Sequence, residues 1–485
     1  MNNNPEFGKI RGVVFPIHKH ELRKFIPLIA IFFIISFNYY VLRSLKDMYL
    51  LKCLGAEVIY FLKLFGVTPS VIVFTVTYSK ISKVADRDAR FNIIITYFLV
   101  FFGLSQAVLL PNLKAVQLDS LADTLNAMLP GMKNLWEAIR FWPLSLFYIN
   151  AEAWGTMALS ILFWTFANEI ISLKQSKRIY SFLTLGASVG PLTAGIMLKH
   201  FKGNFDVALG TGIGLMALLL VIYNIFARDI KKHPALYQIE QKPKKKKEKL
   251  SFMDSLKFLA KSRYLALVSC LVISYGVVVS LFEAVWKAKV KEFTAGDGDM
   301  LANIYGNQGI LTGVVAMLVI VFISAPIMNR GWRFAASTTP TVGIVATLGF
   351  FSFLYFQDSL SSITAIFGMT PLSLAVAFGL LNVVFIKSVK YTLFDATKEQ
   401  TYIPLDEESK IRGKAAVDGV GSRLGKSLGS LLLTMLIVPI FGTITNAQYI
   451  IFFLIIFMLV LWLMVVKQLS VLFKQRAEEA SATNK

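Results

Sequence analysis

The chain has 485 residues, of which 55% are hydrophobic and only 16% are charged, and it carries a formal net charge of +21. About a quarter of the residues in a soluble globular protein are charged, so this composition argues against an ordinary soluble enzyme and indicates a protein embedded in a bilayer. The positive charge does not predict a nucleic-acid partner, because most Lys and Arg residues lie between apolar runs, where they set membrane topology.

A membrane-spanning helix takes about 20 mostly apolar residues. By that criterion, twelve spans are predicted, at 25–45, 58–79, 91–110, 142–167, 180–198, 207–227, 264–286, 307–329, 334–356, 363–386, 415–440 and 447–467. The fifth and eleventh give the weakest hydropathy signal, because both are rich in glycine and the eleventh also carries charge. Residues 112–140 are predicted to form a polar loop with an amphipathic piece.

Residues 228–262 separate two groups of six predicted spans. The run Lys244–Lys247 makes this segment too charged to enter the membrane, so it is predicted to be a solvated cytoplasmic linker, with contact to lipid headgroups as the alternative. The Lys and Arg bias places both termini on the cytoplasmic side. The predicted order is therefore a tail (1–24), a six-helix half (25–227), the linker (228–262), a second six-helix half (263–467) and a tail (468–485).

Two short loops and the six-plus-six layout predict the fold. The loop after the second span contains Asp86-Arg87-Asp88-Ala89-Arg90 and resembles the Asp-Arg-x-x-Arg loop of major facilitator transporters. The loop after the eighth span, 329–333, is a degenerate copy at the matching place. The predicted fold class is all-α: a polytopic membrane protein of about twelve helices in two pseudo-symmetric, major-facilitator-like halves.

Ionisable residues inside predicted spans mark a substrate or ion path, because burying a charge in lipid is costly. They occur within or at the ends of spans one, four, seven, ten and eleven, as Arg43, Lys46, Asp47, Glu152, Glu283, Lys287, Lys387, Lys390, Arg423 and Lys426. Arg43, Lys287 and Lys390 lie close enough to predicted span ends for snorkelling to the interface to be the alternative. Glu152 and Lys426 lie too deep for that, so each is predicted to pair with another charge or to face a cavity.

Several cations facing two carboxylates fit a substrate with phosphate groups, since a desolvated polyanion needs more than one counter-charge. The prediction is a transporter. A membrane protein with a structural or signalling role is the alternative from another class, and it would need no saturable ligand. No acid–base dyad, nucleophile motif or metal-ligand pattern is present in the sequence, so neither an enzyme nor a cofactor or metal site is predicted.

Longer motifs resemble those of the bacterial and plastid-type ATP/ADP translocases over about residues 16–467. The motifs include Phe37-Asn38-Tyr39, Leu42-Arg43, Lys46-Asp47, Ala151-Glu152, Trp154-Gly155, Phe163-Trp164, Glu283, Trp286-Lys287, Gly368-Met369-Thr370-Pro371, Lys390-Tyr391, Tyr402-Ile403-Pro404-Leu405-Asp406, Gly413-Lys414-Ala415-Ala416 and Leu424-Gly425-Lys426-Ser427. The resemblance implies a twelve-helix carrier that exchanges host ATP for ADP. It also implies a location in the inner membrane of an intracellular bacterium, and we expect a monomer in the bilayer.

The functional charges of that family are two Lys and two Glu, and by motif they fall on Lys46, Glu152, Glu283 and Lys426. The predicted substrate contacts further include Arg43, Lys390, Asn150 and Ser188. Lys46 and Lys426 would hold phosphates, with Arg43 or Lys390 as helpers. Glu152 and Glu283 would pair with cations in the empty carrier or carry a coupling proton.

The sequence departs from the family pattern in four places. Ser44-Leu45 replaces Asp-Thr, Ala153 replaces Leu, Ser188 replaces the Asn of Gly-Ala-Asn, and Ala396 replaces the Pro of Asp-Pro. The change at Ser188 removes an amide that could recognise a base edge. A proton-coupled importer of other or several nucleotides (GTP, UTP, CTP or ATP) therefore stays open beside ATP/ADP exchange.

Overall fold

The computed structural model describes residues 17–18, 21–171, 173–234, 259, 262–366, 368–406, 409, 413–414, 416–417 and 421–483. These residues are mostly helical, and none of them lies in a strand. Twelve long helical elements, each continuous or joined from abutting segments, are α1 (Leu22–Cys53), α2 (Ala56–Val84), α3 (Arg87–Leu109), α4 (Trp142–Ile170), α5 (Leu173–Phe201), α6 (Phe205–Lys232), α7 (Arg263–Thr294), α8 (Gly298–Leu318, continued by Val319–Ile323 and Ser324–Asn329), α9 (Trp332–Tyr355), α10 (Pro371–Val389, continued by Lys390–Phe394 and Asp395–Gln400), α11 (Ser422–Leu431, continued by Leu432–Ile437 and Val438–Phe441) and α12 (Gln448–Thr483).

Nine of these helices, within the described residues, are long and apolar enough to cross a membrane. The other three are α5, α8 and α11, which occupy three of the twelve predicted spans. The weak hydropathy predicted for the fifth and eleventh spans is explained by their position, since both pack against other helices along glycine-containing faces. A helix surrounded by protein needs less apolar surface than one that faces lipid.

The helices extend beyond several predicted span ends, and this changes where the charges lie. The first span was predicted to end at 45, but α1 continues to Cys53, so Lys46 and Asp47 lie inside a helix and are buried. The seventh was predicted to end at 286, but α7 continues to Thr294. Snorkelling is therefore wrong for Lys287, whose side chain is only 4% exposed and is paired with a carboxylate.

The predicted polar loop between the third and fourth spans contains two short helices, Asp119–Met128 and Lys133–Arg140. Arg140 holds them together through ion pairs to Asp119 (2.9 Å) and Asp123 (2.5 Å). The second of these helices packs against the beginning of α2. The loop is therefore an ordered cap over the end of the bundle.

Helix packing repeats between the first six helices and the last six. α1 packs against α5 and α6, and α7 packs in the same way against α11 and α12. Across the bundle, α5 packs along α8, while α2 contacts α7 and α11. These contacts bring α1, α2, α4, α7 and α10 around a common central region, where the charged residues gather.

Candidate functional site

A cluster of charged side chains occupies the centre of the bundle. Its members come from α1, α2, α4, α7 and α10, and we call the set the charge cluster: Arg43, Lys46, Asp47, Lys63, Glu152, Glu283, Lys287 and Lys387. Seven of the eight are linked by ion pairs, which run from α4 through α1 to α7 and α10.

Lys46 joins α1 to α4. Its Nζ lies 2.9 Å from Oε1 of Glu152 and 2.9 Å from Oδ1 of Asp47. The same ammonium group sits 3.8 Å from the centroid of the Tyr148 ring, within the range of a cation–π interaction. Lys46 is only 2% exposed, whereas about a third (34%) of the Glu152 side chain is accessible. The Lys46–Glu152 pair is therefore reachable from the carboxylate side.

Asp47 joins α1 to α7. Its Oδ2 lies 2.7 Å from Nζ of Lys287, and both side chains are buried. Asp47 thus bridges Lys46 and Lys287 with its two oxygens. Removing one partner of a buried ion pair leaves an uncompensated charge, which costs about 3–5 kcal/mol. The two helices are held together by this carboxylate.

Glu283 lies in the middle of three cations from three helices. Its Oε1 is 3.0 Å from Nζ of Lys387 on α10 and 3.5 Å from Nη2 of Arg43 on α1, and its Oε2 is 3.9 Å from Nζ of Lys287. Arg43 also donates a 2.8 Å hydrogen bond to the hydroxyl of Tyr39. One carboxylate that serves three cations leaves each of them only partly neutralised.

The described part of the cluster has five cations and three carboxylates. This surplus of positive charge is unfavourable in a low-dielectric interior, and an anionic ligand would relieve it. A small cavity with room for about one water molecule adjoins the cluster, and its lining residues are Tyr40, Arg43, Ser44, Asp47, Glu283, Trp286, Lys287, Tyr305, Gln308 and Lys387. Sites for drug-sized ligands occupy about 300–1,000 Å³. The site is thus contracted in this conformation and must widen to admit a ligand of that size.

The structure brings four of the predicted site residues together: Lys46 with Glu152, and Arg43 with Glu283. The two pairs are connected through Asp47 and Lys287. The backbone of α11 passes through 426, but the side chain of Lys426 is outside the described residues.

The other three predicted residues have different surroundings. Lys390 pairs with Asp395 (2.8 Å), five residues further along the same helix. Asn150 accepts a 2.7 Å hydrogen bond from the hydroxyl of Tyr97 and donates to a backbone carbonyl of its own helix, so it ties α4 to α3. Ser188 lies where α5 passes α8, in the glycine-lined contact between them.

Four members of the cluster were not among the predicted site residues. Asp47, Lys287 and Lys387 were recognised as charges near span ends, but their central role depends on where the helices end. Lys63 was overlooked. A lysine five residues inside a predicted span, 58–79, was the available signal.

A family model described as "TLC ATP/ADP transporter" matches residues 1–473. "ADP,ATP carrier protein 1" of Chlamydia trachomatis serovar D is 39% identical over 452 residues, covering 89% of this chain and 85% of that protein. The protein of the same name from Rickettsia typhi is 35% identical over 96% of both chains. "ADP,ATP carrier protein 1, chloroplastic" of Arabidopsis thaliana is 36% identical over 96% of this chain and 76% of its own.

Solved transporters share the fold at low sequence identity. The nucleoside transporter NupG superimposes with a TM-score of 0.58 at 10% identity, covering 92% of this chain and 99% of its own. A D-xylose–proton symporter gives a TM-score of 0.53 at 13% identity, covering 91% of this chain and 96% of its own. These likenesses concern the fold alone, and they agree with the predicted major-facilitator-like architecture.

Proposed function

Because this chain belongs to the TLC ATP/ADP transporter family, we propose that it exchanges ATP for ADP across a membrane by alternating access. The observation that carries the proposal is the charge cluster, in which five cations share three carboxylates at the centre of the bundle. Phosphate groups supply the negative charge that the cluster lacks. The direction we propose is import of host ATP into an intracellular bacterium.

The empty carrier keeps its lysines paired with carboxylates. When a nucleotide arrives, its phosphates take over Lys46 from Glu152, and Arg43 and Lys387 from Glu283. Lys426, implied by the family motif, would contribute a further cation from α11. Since a phosphate replaces each lost carboxylate, the charges stay balanced while the ion pairs are exchanged.

The same exchange would couple binding to movement. We place the boundary between two moving halves at the linker 228–262, so that 25–227 and 263–467 rock against each other. The pairs Asp47–Lys287 and Arg43–Glu283 cross that boundary. An empty carrier would have to break them without compensation to change sides, whereas a loaded one has phosphate to replace them. This asymmetry makes strict exchange favourable over one-way transport.

The placement in the cell follows from the same proposal. The carrier would lie as a monomer in the inner membrane, with both termini in the cytoplasm, as the Lys and Arg distribution predicts. The side on which α1 ends, near Cys53, then faces outward.

A second function, proton-coupled import of other or several nucleotides, is favoured by one observation. Ser188 stands where the family pattern has an amide, and a serine hydroxyl offers a base edge fewer hydrogen bonds. In that case Glu152, the cluster carboxylate with the most accessible side chain, would be the proton site.

The deciding experiment is uptake of radiolabelled ATP, GTP, CTP and UTP into proteoliposomes containing this chain, with and without internal ADP. Exchange predicts that ATP uptake rises strongly with internal ADP and does not need a pH gradient. Uptake of several nucleotides that ignores internal ADP and follows a proton gradient would instead establish the importer. No saturable uptake of any nucleotide would refute both.

A further inference from the structure

Lys63 differs from every other cation of the charge cluster. Its side chain is partly buried on α2, and within the described residues it forms no ion pair, whereas Arg43, Lys46, Lys287 and Lys387 each have a carboxylate within 4 Å. Its charge interacts with the cluster from a distance, repelled by Lys287 and Lys46 and attracted by Glu283 and Glu152. Because this lysine lies among like charges and has no carboxylate of its own in the described structure, it can bind an anionic ligand without first losing a partner.

The local backbone directs Lys63 towards the cluster. It lies in the π-helical segment Leu62–Val67, and such segments displace side chains from their α-helical positions and are frequent at functional sites. In the same segment, Gly66 allows α2 to approach α4 closely, since a Cβ there would lie 2.9 Å from a methyl carbon of Ile149. This approach brings α2 against the helix that carries Glu152.

Three buried tyrosines beside the cluster have hydroxyl groups that find no hydrogen-bond partner among the residues that the structure describes. They are Tyr60, Tyr148 and Tyr305, which are 0%, 0% and 3% exposed. Each interacts electrostatically with both Asp47 and Glu283, so all three lie at the cluster. A buried hydroxyl without a partner is unfavourable, and phosphate oxygens are strong acceptors that would satisfy it.

The ring faces of two of these tyrosines also contact a lysine ammonium group. The Lys63 ammonium lies 4.8 Å from the centroid of the Tyr60 ring, and the Lys46 ammonium lies 3.8 Å from that of Tyr148. The rings fix the two ammonium groups while leaving their N–H donors available. Lys46 uses those donors on Asp47 and Glu152, whereas Lys63 has no such carboxylate in the described part of the chain.

We propose that Lys63, together with the hydroxyl groups of Tyr60 and Tyr148, forms a phosphate subsite that binds one phosphate group of the transported nucleotide. The subsite rests on the proposed function and adds a residue to it. Lys63 binds the phosphate without first giving up an ion pair, so it makes the first contact, and the exchange of partners at Lys46 follows.

The test uses the full-length chain purified in detergent, with inorganic tripolyphosphate as the probe, because tripolyphosphate presents the phosphates without a base. The variants are Lys63→Gln and, as a matched control, Lys80→Gln, which removes an exposed lysine from the same helix. Loss of one charge-assisted contact should raise the Kd for tripolyphosphate about 10-fold in Lys63→Gln and leave it unchanged in Lys80→Gln. An unchanged Kd in Lys63→Gln, or a wild-type chain that does not bind tripolyphosphate, would overturn the subsite.

A second variant decides the matter if Lys63→Gln does not fold. Lys63→His carries a group that is charged at pH 6 and largely neutral at pH 8. It should bind tripolyphosphate several-fold more tightly at pH 6 than at pH 8, after correction for the wild-type profile measured in parallel. A profile identical to that of the wild type would refute the proposal.

The outcomes separate this inference from the proposed function. Tripolyphosphate binding that depends on Lys63, in a chain that does not exchange ATP for ADP, keeps the subsite and rejects the exchanger. Normal exchange by Lys63→Gln, with an unchanged half-saturating ATP concentration, keeps the exchanger and rejects the subsite.

Discussion

Two of the contacts between the first six helices and the last six differ in the groups that form them. Along α5 and α8 the contact is lined by glycines and the two backbones lie close together, so that a Cβ at Gly195 would lie 2.5 Å from the carbonyl oxygen of Gly306. Between α1 and α7 the contact consists of buried ion pairs, led by Asp47 and Lys287. The two contacts therefore differ in whether their partners can be exchanged. Backbone packed against backbone has no alternative partner, whereas an ion pair can be exchanged for a charged ligand.

This difference suggests separate roles in transport. The α5–α8 contact can act as the pivot, since it does not need to open for the substrate. The ion pairs between α1 and α7 act as the part that opens, because a phosphate can replace each carboxylate that is lost. Substitutions at both contacts test whether the roles are separate.

Replacing a glycine of the pivot should have the largest effect. In Gly309→Leu the new side chain would meet the carbonyl oxygen of Pro191, 2.7 Å from its Cβ, and the Tyr40 ring at 2.6 Å. We expect almost no folded protein, measured as the yield of a monodisperse peak in size-exclusion chromatography. Gly214→Leu is the control, because no described residue lies within 4 Å of a Cβ at that position. Normal yield of Gly309→Leu would show that α5 and α8 are not tightly packed.

Neutralising Glu283 should abolish exchange while leaving the protein in the membrane. Glu283→Gln leaves Arg43, Lys287 and Lys387 around an uncharged amide, and the unpaired charges cost several kcal/mol. We expect ATP/ADP exchange in proteoliposomes to fall about 100-fold or more. Glu478→Gln, which removes an exposed carboxylate near the end of α12, should exchange normally. Equal activity of the two variants would remove Glu283 from the site.

Neutralising Asp47 should change the balance between exchange and one-way uptake. Asp47→Asn weakens the bond between α1 and α7 that the empty carrier would have to break before it changes sides. We expect total exchange to fall about 10-fold, and the fraction of uptake that occurs without internal ADP to rise. The measurement is initial ATP uptake into vesicles with and without ADP. A smaller ADP-independent fraction than in the wild type would contradict the role of Asp47 as a lock.

The smallest effect is expected at two carboxylates in the first turns of α2 and α8, the partly buried Glu57 and the exposed Asp299. Glu57 accepts a hydrogen bond from the backbone N–H of Ile444 (3.0 Å), and Asp299 accepts one from that of Gly203 (2.7 Å). Each therefore joins a helix of one group of six to a loop of the other, in equivalent positions. Loss of either bond in Glu57→Ala or Asp299→Ala should cost about 1 kcal/mol, seen as a Tm lowered by about 1 °C.

The control for this pair is Glu478→Ala, which removes an exposed carboxylate near the end of α12. Its Tm should equal that of the wild type. If all three variants melted at the same temperature, the two bonds would contribute nothing to closing this side of the bundle.

The sequence by itself determined the class of protein, the approximate positions of the helices and the family. Hydropathy is a local property that is read over about 20 residues, so it needs no knowledge of the fold. The cost of placing charge in lipid is also local, and Arg43, Lys46, Glu152 and Glu283 were among the ten charges that it flagged before any contact was known. These four residues do meet in the structure.

The partners of those residues were decided only by the tertiary structure. Asp47 lies at the centre because α1 extends eight residues past the predicted span end at 45, to Cys53. Lys387, and not Lys390, reaches Glu283, because the helix turns π-helical at Lys390–Phe394 and Lys390 pairs with Asp395. Helix ends, π-helical segments and rotation about the helix axis depend on packing between distant segments, and no local pattern encodes them. The sequence therefore identified the charges, and only the packing of the helices decided which of them are neutralised and that Lys63 lacks a carboxylate partner in the described structure.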